Sequence, residues 1–219
     1  MKLIALPDLH GKLMSYLARL APHIAEVDVV LLPGDLTAGL SGTSIETLIN
    51  GLRSITDSIL TVPGNWEHDT TIAYLDAQNV NLHRQHRIID EVVFYGVGGA
   101  LPFIGYMELS EGELAACARD AVATVPDGLP EIFVCHQPPI NTRNDLNFRD
   151  AHVGSHAVRA FIEQRQPLIC FTGHIHEGTG LDTIGTTQII NPGPIWQSES
   201  YAYAEIDGVT VKTLEIRKL

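Results

Sequence analysis

Five short apolar runs each end in a polar residue that could bind a metal ion. KLIAL (2–6) runs into Pro7, Asp8, Leu9 and His10. VDVVLL (27–32) runs into Pro33, Gly34 and Asp35, and SILTV (58–62) into Pro63, Gly64 and Asn65. EIFVC (131–135) is followed by His136, and LICFT (168–172) by Gly173, His174, Ile175 and His176. Singly, Asp and Asn also shape turns and cap helices. As a set they are two Asp, one Asn and four His at equivalent places after five strands. Seven ligands exceed what one tetrahedral ion takes and suit two ions that share a carboxylate. Imidazole mixed with carboxylate favours transition ions over Mg or Ca. The Asp-x-His and His-x-His spacings predict paired side chains on one side of an extended backbone. Gly34, Gly64 and Gly173 would allow close backbone approach.

The elements that must position these residues follow from hydrophobic spacing. Continuous β-branched runs such as VDVVLL predict strands covered on both faces. Between them the 3.6-residue period predicts helices over 12–26, 44–52, 69–78 (with Asp69 as N-cap), 112–125 and 155–166. HRIID and VVFYGV (86–97) predict a strand pair. Residues 136–148 form a long Pro- and Asn-rich loop, and long loops in compact domains tend to be functional. From Leu181 the chain turns to short strands, with a hairpin at Asp207-Gly208. Strands that alternate with helices and end in a run of strands argue for an α/β fold. In such sheets ligands gather at the C-terminal strand ends.

The chain has 219 residues, 45% hydrophobic and 18% charged, and shows no repeat or linker. One domain spanning 1–219 is the expectation. The formal charge of −12 argues against a nucleic-acid partner. No stretch reaches the roughly 18 apolar residues of a membrane helix. MKLIALPDLHG is broken too early for a secretory leader. Cys117, Cys135 and Cys170 are scattered, without CxxC, and read as reduced and buried. A cytoplasmic location follows as an expectation.

DLHG (8–11), GD (34–35), GN (64–65), His136 and GHIH (173–176) resemble the ordered motifs of the calcineurin-like metallophosphoesterases. NPGP (191–194) and residues 152–177 resemble the small bacterial and archaeal branch. The resemblance implies a four-layer αββα sandwich, with two central mixed sheets flanked by helices. It implies that Asp8, His10 and His176 bind one ion, that Asp35 bridges, and that Asn65, His136 and His174 bind the second. Mn is the first choice of metal, with Fe, Zn, Co or Ni as alternatives. Asp35, Asn65 and His136 are then also the catalytic set. The implied reaction is hydrolysis of a small-molecule phosphoester by in-line attack of a metal-bridging hydroxide.

The stretch GNWEHD (64–69) departs from that pattern. The family carries His after the GN pair, to orient substrate or protonate the leaving group, and here the residue is Trp66. An indole N–H donates a hydrogen bond but transfers no proton at useful pH. Diesters with good leaving groups are therefore the expected substrates. His68 is a candidate substitute acid, and Trp66 a candidate stacking surface. Arg143, Arg149 and His152, in or beside the long loop, are candidate phosphate contacts. LPFIGYMEL (101–109) could cover the site or a homo-oligomer interface. The alternative to an enzyme is a catalytically weak interaction or scaffold protein of the same fold, with Trp66 as its mark.

Overall fold

The computed structural model describes residues 1–38 and 43–219. Their elements are β1 (Lys2–Ala5), α1 (Leu17–Ile24), β2 (Val29–Pro33), α2 (Ile45–Arg53), β3 (Ile59–Val62), α3 (Asp69–Ala77), β4 (His86–Ile89) and β5 (Val92–Val97). There follow α4 (Glu111–Val122), β6 (Glu131–Cys135), α5 (His156–Arg165), β7 (Ile169–Thr172), β8 (Gly180–Ile184), β9 (Thr187–Asn191), α6 (Ile195–Ser198), β10 (Ser200–Asp207) and β11 (Thr210–Lys218). They build two mixed sheets, ordered β11-β10-β1-β2-β3 and β4-β5-β6-β7-β9-β8.

In the first sheet β1, β2 and β3 are parallel; in the second β5, β6, β7 and β9 are parallel. The antiparallel strands β10, β11, β4 and β8 lie towards the edges. The hairpin predicted at Asp207-Gly208 joins β10 to β11, with Gly208 at φ +54°.

Three apolar seams explain the layering. Ile4, Leu6, Val30 and Leu32 point from the first sheet to Leu20 of α1 and Leu48 of α2. Their strand neighbours Leu3, Ala5, Val29 and Leu31 face Phe94 and Phe171 of the second sheet. Tyr95, Phe133 and Cys170 leave the far face of that sheet to meet Leu114 of α4 and Val158 and Ile162 of α5. Alternation along each strand supplies both faces, so the expected αββα sandwich is what forms. All three cysteines are buried and unpaired. Among the described residues no helix is long and apolar enough to cross a membrane.

Some local expectations change. The helix predicted over 12–26 is a 3₁₀ turn at Leu13–Ser15 followed by α1, which carries Pro22 and ends at Ile24. Proline removes a helical N–H and crowds the preceding turn. Asp69 is the first helical residue of α3, and His68 is its N-cap, without a capping side-chain bond. Asp69 still lies where a carboxylate meets the positive helix end. The loop after β6 contains a 3₁₀ turn, Arg143–Asp145, and α6 follows the NPGP stretch unpredicted.

Candidate metal centre

The loops after β1, β2 and β3, adjacent parallel strands, carry Asp8, His10, Asp35 and Asn65. The loops after β6 and β7, adjacent in the other sheet, carry His136, His174 and His176. Sheet stacking brings the two groups together. Asp8, His10 and His176 present ligand atoms within 4.8 Å of one another, and so do Asp35, His136 and His174. Asp35 joins the clusters, with Oδ2 3.7 Å from His10 Nε2 and Oδ1 3.4 Å from His136 Nε2. Asn65 Oδ1 lies 3.0 Å from His136 Nε2.

The backbone is not extended here as the spacing predicted. Asp8, His10, Asp35 and His174 have φ of 52°, 44°, 52° and 67°. Asp and His tolerate this left-handed region better than most residues, yet each such residue costs on the order of 1–3 kcal/mol. Backbone hydrogen bonds hold it in place. Asp8 N–H donates to Gly34 O, His10 N–H to Asp35 O and Gly11 N–H to Leu36 O, at 3.0, 2.8 and 2.9 Å. These bonds continue the β1–β2 pairing through the loops. Gly34, at φ +87°, lies against His136, where a Cβ would strike Nδ1. A Cβ on Gly64 would strike Asp35 Oδ1.

Second contacts orient the candidate ligands. His136 Nδ1 lies 2.8 Å from the Pro33 carbonyl, which places the proton on Nδ1 and leaves the Nε2 lone pair for the cluster. Asn65 Nδ2 donates to Ile104 O at 2.6 Å, turning its amide oxygen inward. Both Asp8 carboxylate oxygens accept from His174 N–H, and Trp196 Nε1 donates to Asp8 O at 2.9 Å. Asn191 of the NPGP stretch donates to Ile175 O, which braces the last loop.

Glu67 is wholly a brace. It is buried and accepts from the N–H groups of Gly64, Asp35 and Thr37 and from the Thr37 hydroxyl.

The electrostatics call for positive charge. Burial, with Glu67 and Asp8 nearby, pushes the Asp35 carboxyl well above the usual range. Burial holds His10 down to about 4 and His174 to about 3, and lowers His136 too. These three imidazoles are neutral at pH 7, with lone pairs to give. On His176 burial is outweighed by Asp8, and its affinity for a proton rises. On Asp8 burial is outweighed by His176 and the other histidines, and the carboxyl is held low. His10 Nε2 and His176 Nε2 lie 3.4 Å apart, within hydrogen-bonding distance. Buried carboxylates and neutral imidazoles converging in this way fit divalent transition ions.

The remaining candidates divide. Trp66 is half-buried; its ring stands edge-on to His10 with centroids 6.5 Å apart. Its backbone N–H donates to Asp35 Oδ1 at 3.0 Å. It lines a cavity of about 440 Å³ with His10, Lys12, Ala38, His176 and Trp196. His68 stacks on Tyr106 with centroids 3.5 Å apart, and its Nε2 is buried without a hydrogen-bond partner. Arg143 Nε donates to Thr179 O, and the residue lines a different cavity with Phe148 and Glu177. Arg149 lies over the Phe148 ring. His152 Nδ1 donates to the buried Asp145 at 2.7 Å, which also accepts from the N–H groups of Asn141, Thr142 and Gly154.

Sequence reasoning passed over the Ile104 carbonyl, Lys12 and Trp196. A backbone carbonyl leaves no residue-type signal. Trp196, two residues beyond NPGP, was open to notice.

The family described as Calcineurin-like phosphoesterase matches residues 1–178. An uncharacterized protein of Methanocaldococcus jannaschii is 35% identical over 207 residues, covering 89% of this chain and 88% of that protein. A crystal structure of a Thermus thermophilus protein superposes with a TM-score of 0.71 at 19% identity, covering 99% of this chain and 98% of that one. A putative 5'-nucleotidase from Staphylococcus aureus gives a TM-score of 0.62 at 12% identity, covering 98% of this chain and 53% of that one. At these identities the two structures speak for the fold.

Proposed function

The chain belongs to the calcineurin-like phosphoesterase family, and from that premise we propose that it is a dinuclear metal-dependent phosphodiesterase acting on a small molecule. The observation that carries the reading is Asp35, whose two oxygens face separate ligand clusters at 3.7 and 3.4 Å. Asp8, His10 and His176 would hold one ion, and Asn65, His136 and His174 the other, with Asp35 shared. When bound, two such ions supply Lewis acidity to phosphoryl oxygens and make a water acidic near neutral pH. Mn is the preferred ion.

The chain's own residues do the rest. Pro33 O fixes the His136 tautomer and Ile104 O fixes the Asn65 amide. The hydrogen bonds to Glu67 hold the Asp35 and Asn65 loops in register. Lys12 Nζ stands 3.9 Å over the Trp196 ring in the cavity beside His10, where it offers positive charge to an anionic substrate. Trp66 supplies no proton. A diester with an acidic leaving group needs none, and such diesters are the proposed substrates. His68, stacked and capping α3, is poorly placed to replace the missing acid.

The test is hydrolysis of bis-4-nitrophenyl phosphate and of 4-nitrophenyl phosphate after metal is stripped and Mn²⁺ restored. The expected result is Mn-dependent turnover that favours the diester and is lost in Asp35→Ala. Trp66→His should leave 4-nitrophenyl phosphate turnover little changed and raise that of an alkyl monoester, whose leaving group needs a proton, by about 10²-fold, the lower end of general acid catalysis. Two bound ions without turnover would favour the interaction protein instead, a reading supported by the exposed Ile104 and Tyr106 near the site.

A further inference from the structure

A third cavity, of about 490 Å³, opens on the His174 and His176 side of the candidate centre. Leu101, Pro102, Phe103, Phe148, Val153 and Ile175 form its apolar walls. Its polar groups are largely engaged elsewhere. Gln137 accepts from Leu101 N–H and donates to Val153 O. Asn147 Oδ1 accepts from Arg149 N–H and Ala151 N–H. Among the described residues no lysine or arginine lines it, and Glu177 is its one carboxylate. Phe103 and Phe148 are 85% and 73% exposed, although burying a ring of this size is strongly favourable. The cavity beside Trp66 is different in kind, because Lys12 lines it.

We propose that the Phe103–Phe148 cavity is a subsite for an uncharged, apolar ester group of the substrate, an aryl or branched alkyl arm. The inference rests on the phosphodiesterase reading and extends it to substrate class. A phosphoryl group held at the histidine cluster directs one ester arm against Ile175 and between the two phenylalanines. Such walls reward apolar area, and the nearby cations are set outside them, Arg143 in the adjoining cavity with Glu177 and Arg149 on the Phe148 ring. The other arm has the indole-walled cavity with Lys12.

The test is calorimetric binding of phenylphosphonate and methylphosphonate, neither of which is hydrolysed, to the Mn-loaded protein. Phenylphosphonate should bind at least about tenfold tighter, as burial of a ring requires. In the Phe103→Ala/Phe148→Ala double variant the ratio should fall to within about twofold. Both side chains are exposed, so the variant keeps its core. A ratio that survives in the double variant overturns the proposal. So does a ratio lost in Trp66→Ala instead, which would move the apolar arm to the other cavity. Equal affinities with Mn²⁺ still bound overturn the subsite alone. Failure of the wild-type protein to bind Mn²⁺ overturns the metal-centre reading and this one with it.

Discussion

At the scale of the residue, the same short stretch contains a departure and its support. Trp66 stands where a proton donor is expected, while Glu67 beside it ties together the loops that carry Asp35 and Asn65. Its four accepted hydrogen bonds make it a structural carboxylate. Glu67→Ala would leave buried N–H groups without acceptors, at about 1–3 kcal/mol for each group left unsatisfied. Urea unfolding should therefore show a loss of about 3 kcal/mol or more. Mn²⁺ affinity, read by calorimetry, should fall in the same variant, although Glu67 is not among the proposed ligands. Unchanged affinity in a folded variant would show that Asp35 keeps its orientation without the brace.

At the scale of the element, α5, which precedes β7 and its two histidines, is tied to α4. Ser155 caps α5 by accepting from Val158 N–H. Glu111, the first residue of α4, reaches across to accept from the N–H groups of His156 and Ala157 and from the Ser155 hydroxyl. Burial raises the Glu111 carboxyl, but the Ser155 hydroxyl and the two N–H groups outweigh it, and its pKa lies below the ordinary 4.5. The carboxylate form is thus favoured by folding. Its contribution is fully present above the unfolded pKa and is lost as pH falls through the folded one. Thermal unfolding of the wild-type protein should lose stability across that acid window. Glu111→Gln should be less stable at pH 7 and show a flatter acid limb. Parallel acid limbs would remove Glu111 from this role.

At the scale of the whole molecule, the candidate centre lies between two sheets. Cations bound there would link the β1–β3 loops to the β6 and β7 loops. Anything that binds only the folded state stabilises it by mass action, about 2.7 kcal/mol at a hundredfold excess over Kd. For a chain of this size that is a rise of about 5–11 °C in Tm. Stripped protein should show this rise on addition of Mn²⁺, and Asp35→Ala should show much less. Equal shifts in both proteins would mean that the ion binds elsewhere.

Much was legible in the sequence because it is local. Buried parallel strands are written as continuous apolar runs, and the residue after each run names a ligand type. That is enough to predict an α/β fold and the order of the seven candidate ligands, while the sandwich and the departure at Trp66 follow from the resemblance those motifs carry. What the sequence left open are relations between distant segments. His10 and His176 are 166 positions apart, and only the stacking of two sheets sets their nitrogens face to face. The left-handed backbone at Asp8, His10, Asp35 and His174 is held by hydrogen bonds between loops, which local spacing cannot anticipate. Ile104 orients Asn65 through a carbonyl that every residue possesses. The Phe103–Phe148 cavity exists because the 101–109 segment and the loop after β6 close around the same histidines.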